Sequence, residues 1–585
     1  MSFSPVPPPV NGPVGPLERG LAVLRELTRL AAHEGRTTVR PGDLVRGTGL
    51  ARSVVDRVVG TLEQLGYVTL DGRDIGLSVR LMELGNAYLA ASGLPAALGP
   101  FAQRLADGLD ESVSVAVPDG DGVRFVVQMT RRRTMSLAFR IGDLLPAERC
   151  SPGALFAAEW SGADWAAWRA RRAEDPLDTS FPAVPPRHRP ASDGDFEARV
   201  KEAAHDGWAA DDQLIEPGLV AVSVPVRDAS GRIACTVNVV SHTSRHDVDS
   251  LRAAVLGPLG AEVPAMEAAL AARRPRPAAD QVWGTPGGAP AALGEDPARM
   301  AKRELGAGFL QSLARGLAVL RALGGAEGAG QGEAATAGGG RGGGMTLSAV
   351  AEATGLARAT ARRSLLTLVE LGYVEADGRA FRPLPRVLEL GYAPLAELGF
   401  TDIAQPHMRE LVHTVHESAS LAVLDGGDIR YIARVPTVRI MSVNITIGTH
   451  FPAYATSMGR VLLAGLDAHA RAAHLAGVRP RALTRHTVTD VAELARVVER
   501  AAAEGHALVD QELEEGLRSL AVPVKDARGR VIAALNVATH AGRGTAESAR
   551  RELLPALRVT AARIEADLAT ASAHHALGAS ERVGA

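Results

Sequence analysis

The string "LERGLAVLR" at positions 17–25 returns as "LARGLAVLR" at 313–321. The recurrence is not isolated. "GLARSVVDRVVGTLEQLGYV" from position 49 answers "GLARATARRSLLTLVELGYV" from 355, an offset of 306 residues. The same offset carries "ESVSVAV" from 111 onto "ESASLAV" from 417, and Met135-Ser-Leu onto Met441-Ser-Val. Further along, "GLVAVSVPVRDASGRIACTVNVVSH" from 218 answers "GLRSLAVPVKDARGRVIAALNVATH" from 516, with the offset now 298. Order is kept through both halves, so the chain is a tandem duplication, and whatever fold suits one half must suit the other. At 585 residues it is too long for one core and predicts about three or four domains.

Between the copies, "RRPRPAADQVWGTPGGAPAALGEDPARM" (273–300) is rich in Pro, Gly and Ala and reads as a flexible linker. "GGAEGAGQGEAATAGGGRGGG" (324–344) interrupts the second copy after its first helix and reads as a solvated surface insertion, since such a composition buries no core. The opening "MSFSPVPPPVNGPVGP" has prolines where a signal peptide needs a continuous apolar run, and it predicts a disordered tail. No apolar stretch is long enough to span a bilayer. Two cysteines, Cys150 and Cys235, exclude a disulfide framework and a multi-cysteine metal site, which fits a reducing cytoplasm. A net charge of −2 means that any nucleic-acid contact must come from a local basic patch.

Such a patch is present in the second copy. "MTLSAVAEATGLARATARRSLLTLVELGYVEADGRAFRPLP" (345–385) parses as helix, tight turn, helix, hairpin. Val350, Ala351 and Ala353 belong to a first short helix, and Gly355 suits a left-handed turn. Ala361, Leu365, Leu368 and Val369 recur as one apolar stripe of the next helix. Arg358 and Arg362 fall four apart on another face, flanked by Thr360 and Arg363. Asp377-Gly378 is a favoured hairpin turn. These pieces in this order predict a helix-turn-helix with a β-wing. Arginines at the start of a helix can bond guanine edges or neutralise phosphates in the major groove, and no acid follows here until Glu370. In the first copy Arg52, Ser53 and Arg57 occupy the corresponding helix. Val54 replaces the counterpart of Thr360 and Asp56 that of Arg362, so either the two helices read different base steps or the first has decayed to a packing role.

The rest of each copy mixes hairpins with helices. "SASLAVLDGGDIRYIARV" (418–435) and "LRSLAVPVKDARGRVIAALNVAT" (517–539) alternate as paired strands, "RIMSVNITI" (439–447) reads as another strand, and "TSMGRVLLAGL" and "VAELARVVERAAAEGHA" read as helices. The fold class is therefore α+β with a mainly antiparallel sheet. Thr456 or Ser457 is placed to cap a helix, leaving N–H groups and a positive dipole end for a small anion. The first copy has "AERCSPGALFAA" there, with Pro152 in the first turn and with Tyr454 and Gly459 read as lost.

Both halves resemble the IclR family of bacterial transcription regulators. In the second half "SLARGLAVL", "GLARATARRSLLTLVELGYV", "FPAYATSMGRVLLAGL" and "DQELEEGLRSLAVPV" carry the resemblance, which is nearest to the subgroup controlling protocatechuate and β-ketoadipate pathway genes. It implies, twice over, a winged helix-turn-helix domain, a linking helix and a GAF-like effector domain. The expected division is a tail at 1–16, a winged helix-turn-helix at 17–80, and a linking helix with a diverged effector domain at 81–270. A linker follows at 271–308, then the second winged helix-turn-helix at 309–386, the second linking helix and effector domain at 387–572, and a tail at 573–585. The implied partners are a double-stranded DNA operator and a small carboxylated effector, with assembly as a homo-oligomer or an intramolecular pseudo-dimer and a place in the cytoplasm, on the nucleoid. Carried over by position, the implied effector contacts are Thr456, Ser457, Met458, Gly459, Asp510, Ser519 and Asn536. Their first-half counterparts include Asp212, Ala221 and Asn238, and the missing hydroxyl at Ala221 argues against effector binding there.

Other candidates are weaker. Glu512, Glu514 and Glu515 beside Asp510 lack a histidine at ligand spacing and read as a solvated loop. His413 and His416 lie three apart without a third ligand. Cys150 stands at the position of Thr456, and a thiol sensor there would need a lowered pKa. Arg434 and Arg518 are possible partners for an effector carboxylate, though strand alternation leaves their direction open. No nucleophile-elbow, P-loop or zincin pattern occurs. No catalytic residue, metal or cofactor is expected. The competing reading is a GAF-like sensor or enzyme whose helical segments only oligomerise; the Arg-rich helix with its wing speaks against it.

Overall fold

A computed structural model describes residues 15–33, 38–131, 139–189, 191–272, 308–325, 344–437 and 446–574. The predicted tails, most of the linker and of the Gly-rich insertion, both Met-Ser motifs and most of the "RIMSVNITI" strand lie outside the described residues. The chain divides into two compact units, residues 1–397 and 398–585.

In the first unit, helices Pro16–His33, Pro41–Thr48 and Arg52–Gln64 precede a hairpin of β1 (Val68–Asp71) and β2 (Asp74–Leu77). An antiparallel six-stranded sheet follows, from β3 (Ser112–Asp119), β4 (Gly122–Met129), β5 (Leu144–Pro146), β6 (Ala209–Asp212), β7 (Leu219–Arg227) and β8 (Ile233–His242). Its spatial order is β5-β4-β3-β8-β7-β6. The same unit ends with the second helix-turn-helix: helices Gln311–Ala322, Leu347–Thr354 and Arg358–Glu370, with β9 (Met345–Thr346), β10 (Val374–Asp377) and β11 (Ala380–Pro383).

The turn between the last two helices is made as the sequence predicts. Gly355 caps the shorter helix at φ +65°, and its counterpart Gly49 does so at +67°. Ala361, Leu365 and Leu368 are fully buried, whereas Val369 is only half-buried and Ala353 is exposed. The wing differs by one residue from expectation. Asp377 pairs with Ala380, so the two-residue loop is Gly378-Arg379 rather than Asp377-Gly378; the strand takes one more residue because Asp377 still reaches a partner across the ladder.

The repeated nine-residue string makes the contact between the two helix-turn-helix segments. A Cβ built on Gly20 would collide with Leu313 Cδ1, and one on Gly316 would collide with Leu17 Cδ1. Leu17 and Gly20 are the counterparts of Leu313 and Gly316, so the crossing is reciprocal, as across a two-fold axis, and depends on glycine on both sides. Arg321 donates to Glu83 at 3.2 Å, and its counterpart Arg25 approaches Glu389, the counterpart of Glu83, at 4.0 Å. Tyr392 donates its hydroxyl to Asn86 Oδ1 at 3.1 Å, and the two residues are offset by the same 306 positions as the repeat.

The connections to the effector-type domains differ. In the first half a continuous helix, Met82–Ser92, leads to helix Leu94–Leu109. In the second half a 3₁₀ turn (Pro385–Glu389) and a short helix (Tyr392–Leu395) are separated from helix Phe400–Val415. Pro394 stands where the first half has Tyr88. Proline offers no N–H and crowds the carbonyl four residues back, which disfavours an unbroken helix across this stretch; the helix instead starts afresh at Tyr392, which puts Pro394 in a first turn, where the missing N–H has no intrahelical acceptor to lose.

The second unit is an antiparallel sheet of β12 (Ser418–Asp425), β13 (Asp428–Val435), β14 (His450–Pro452), β15 (Ala507–Asp510), β16 (Leu517–Lys525) and β17 (Val531–His540), in the order β14-β13-β12-β17-β16-β15. One face packs Leu421, Val522 and Leu535 against Met408 and Leu411 of helix Phe400–Val415 and against Leu557 and Ile564 of helix Ala546–Ser572. The other face packs Tyr431, Ala521 and Ala534 under helices Ser457–Ala464 and Val491–Glu504. Fully burying each such Leu, Val or Met contributes about 1.5–3 kcal/mol. The candidate cavity opens on this second face.

Candidate functional site

Two surfaces gather most of the residues singled out in the sequence. The first is the helix Arg358–Glu370. Its buried stripe fixes which side faces out, and Arg358, Arg362 and Arg363 are exposed there, with Thr360 half-buried. Among the described residues these three arginines form no ion pair. In the first half, Arg52, Ser53 and Arg57 are exposed on helix Arg52–Gln64. Arg52, however, donates its Nε to Asp56 at 2.8 Å along the same helix face. Asp56 thus has a cation of its own, and the first helix presents less unpaired positive charge than the second.

The second surface is a concavity in the second unit, about 390 Å³ when the open solvent at its mouth is included. Thr456, Ser457 and Met458 at one helix start form one side of its wall, together with Ser519 of β16 and Asn536 of β17. The sequence foresaw these five. Thr456 is the cap: its Oγ1 accepts from Gly459 N at 3.1 Å. That leaves the first-turn N–H groups of Ser457 and Met458 without intrahelical acceptors. Ser457 and Ser519 share a hydrogen bond between hydroxyls at 2.9 Å, linking helix to sheet. Asn536 is 4% exposed, and its Oδ1 has no hydrogen-bond partner. A buried polar atom left so costs about 1–3 kcal/mol, which a donor on a bound molecule would recover.

Two foreseen residues stand elsewhere. Gly459 lies behind the wall, where a Cβ would collide with the Ala453 carbonyl; its role is to let the helix start pack, and it is not lost in the first half, where Gly153 makes the same approach to the Ala147 carbonyl. Asp510 is not on the wall. Its carboxylate accepts from Arg518 Nε and Nη2 at 3.1 and 3.0 Å, because the two residues are direct partners across β15 and β16. This contact also occupies Arg518, one of the two cations considered for an effector.

The remaining wall is Tyr431, Ala455, Val509, Leu513, Leu517 and Ala538, none of which sequence reasoning singled out. Strand alternation could have pointed to Tyr431 and Ala538, once the face bearing Asn536 was known. Burial pushes the Tyr431 phenol up to about 12, so it stays protonated and can donate. No lining side chain is ionised. The recognition chemistry is therefore a helix N-terminus, three aliphatic hydroxyls, a phenol and an amide, in a wall otherwise apolar.

The loop after β15 is not the solvated carboxylate cluster expected. Glu512 is 8% exposed and takes both terminal nitrogens of Arg460, at 2.8 and 2.5 Å. Arg460 Nε also donates to the Tyr454 carbonyl, and Val488 N donates to Glu512. This pair ties the helix start to the loop at the cavity rim. Glu514 and Glu515 are exposed. Cys150 is buried, which pushes its thiol up, away from the reactive range a sensor needs. Among the described residues no group of three or more metal-ligating side chains occurs, and no helix is long and apolar enough to cross a membrane.

The chain matches two protein families, each at two places. The IclR helix-turn-helix domain matches residues 16–72 and 312–378. The family described as bacterial transcriptional regulator IclR, C-terminal, matches 86–263 and 393–566. The Pca regulon regulatory protein of Pseudomonas putida is 42% identical over 250 residues, which is 43% of this chain and 81% of that protein. The Pca operon regulatory protein of Acinetobacter baylyi is 36% identical, over 37% of this chain and 80% of that protein. A solved transcriptional regulator from Rhodococcus sp. RHA1 is 52% identical, covering 45% of this chain and 99% of its own, with a TM-score of 0.41. These relatives are regulators rather than enzymes. The chain belongs to the IclR family of bacterial transcriptional regulators and carries that family's DNA-binding and C-terminal domains twice.

Proposed function

We propose that this regulator reads an operator through the helix Arg358–Glu370, and that a small hydroxylated aromatic acid in the second-unit cavity modulates that binding. The exposed, unpaired arginines on a helix whose opposite face is buried carry the DNA side of the reading. An oligomerising helix would need more apolar exposure there than Leu366 alone supplies. In the cavity, the first-turn N–H groups suit a carboxylate. The unpaired Asn536 Oδ1 calls for a donor such as a phenolic hydroxyl. The names of the Pca relatives point the same way, toward control of protocatechuate and β-ketoadipate catabolism. The two helix-turn-helix segments, joined reciprocally by the repeated string, act as a pseudo-dimer within one chain on the nucleoid. Because Thr360 and Arg362 are answered by Val54 and Asp56 in the other copy, the operator has unequal half-sites.

The test is a titration of DNA from the genes flanking the coding locus with the full chain and with its Arg362→Glu/Arg363→Glu variant. The double reversal should weaken binding by roughly a hundredfold or more and flatten its salt dependence. Unchanged affinity and slope would remove the helix from the interface. For the effector, thermal-shift measurements with protocatechuate, 4-hydroxybenzoate and β-ketoadipate should show stabilisation by at least one, about 2.7 kcal/mol at a hundredfold excess over Kd. No shift with protocatechuate or 4-hydroxybenzoate, or a shift with the aliphatic β-ketoadipate alone, would refute the aromatic-acid assignment.

A further inference from the structure

In the first half several residues around the counterpart of the cavity have been exchanged. Arg149 stands at the position of Ala455, which lines the cavity in the second half. It is 4% exposed. Its Nε donates to the Leu214 carbonyl at 3.2 Å, its Nη1 to that of Pro185 at 2.6 Å and its Nη2 to that of Ile215 at 2.5 Å. Ile215 is the counterpart of Leu513, another lining residue. The guanidinium therefore reaches from one wall of the would-be cavity to another and is held there by three carbonyls and by the buried Asp178, whose Oδ2 lies 3.6 Å from Nη1.

The other walls have changed to match. Tyr431 is replaced by Phe125, which stacks on Phe139 with ring centroids 4.6 Å apart and planes within 4°. Phe125, Cys150, Ile215, Ala221 and Val240 belong to one apolar cluster. The hydroxyl that Ser519 offers in the second half has moved two residues along the strand: Ser151 bonds Ser223 at 2.6 Å, and the residue at Ser519's own position is Ala221. Asn238, the counterpart of Asn536, is unchanged: it turns its amide nitrogen onto Ser114, and its Oδ1, like that of Asn536, has no partner.

We propose that Arg149 is a built-in occupant of the first half's cavity, so that the chain accepts one effector molecule, in its second half only. The word effector rests on the function proposed above; the filling of the first cavity does not. An incoming acid would have to displace three charge-assisted hydrogen bonds and push apart a stacked pair of rings, and would find a methyl group where the second half offers a hydroxyl. The first half is thus a fixed partner to a responsive one.

Matched cysteines in the full chain test this. In a Cys150→Ser background, Ser519→Cys and Ala221→Cys place a thiol at the same site of each half. Methyl methanethiosulfonate, followed by intact mass, should modify the Ser519→Cys thiol about a hundredfold faster than the Ala221→Cys thiol. Adding Arg149→Ala to Ala221→Cys should raise its rate by at least about tenfold. Equal rates for the two single thiols overturn the proposal, and this comparison stands even if Arg149→Ala unfolds the domain. Protection of the Ser519→Cys thiol by 4-hydroxybenzoate reports separately on the effector reading. A fast but unprotected thiol there, with a slow one at Ala221→Cys, sinks that reading and keeps the filling. Native mass spectrometry should find at most one 4-hydroxybenzoate per chain; two would overturn the inference.

Discussion

The two halves share their sheets down to the irregularities. The register shifts between Val115 and Ala116 in the first and between Leu421 and Ala422 in the second, at counterpart residues. It shifts again at Val226/Arg227 and at Val524/Lys525, also counterparts. The handling of buried charge is where they diverge. The second half buries one arginine–glutamate pair, Arg460 with Glu512. The first has apolar residues, Ala154 and Leu214, at those two positions and buries a lattice elsewhere. There Arg171 contacts Glu148, Asp121 and Asp178, and Arg187 also contacts Asp178. Strand pairing is constrained by every neighbour in the ladder, so it survives duplication; residues around a hollow have fewer neighbours and are freer to change.

The largest expected break in that comparison is Arg460→Met. Removing one member of a buried ion pair costs about 3–5 kcal/mol, because Glu512 is left charged and unpaired. Chemical denaturation with a probe in each half should show the second half unfolding earlier, with the first unmoved. Loss of stability in both halves together would mean that they do not unfold separately.

Next comes Asp211, which stands in the first half where the cavity wall has Val509. Burial pushes its carboxyl up to about 7, against the pull of Arg199 and Arg149 and with a smaller push from Asp212. A carboxyl raised on folding contributes stability that is full below about pH 4 and is lost as the pH rises through about 7. Asp211→Asn should therefore stabilise the first half on the order of 3 kcal/mol at pH 8 and change little at pH 4. A gain that did not depend on pH would show that Asp211 is not protonated in the folded chain.

The smallest effect concerns DNA. Asp56→Ala frees Arg52 from an exposed pair worth well under about 1 kcal/mol. It should tighten operator binding only a few-fold, and mostly at low salt. A large gain would make the first helix the stronger reader and reverse the order proposed for the two.

Much of this was legible in the sequence because it is local. The apolar stripe of Ala361, Leu365 and Leu368, the turn at Gly355 and the cap at Thr456 follow from residues within one helical turn of each other. The duplication itself gave the topology a second copy to check against. What was missed depends on register and direction. Asp510 meets Arg518 only because β15 and β16 pair in one particular frame, and neither residue announces it. Glu512 looked like one of several solvated acids until Arg460, 52 residues away, was found against it. Arg149 is one arginine in an arginine-rich chain; its burial becomes visible only when three carbonyls from two separate loops converge on it.

The reciprocal crossing of the two "RGLAVLR" helices has a kinetic corollary. On the pseudo-dimer reading proposed above, partners on one polypeptide are not lost to dilution, so their pairing before binding carries no dependence on protein abundance. Operator occupancy should then climb with the first power of regulator concentration, giving a cell a graded response at copy numbers where two separate subunits would seldom meet.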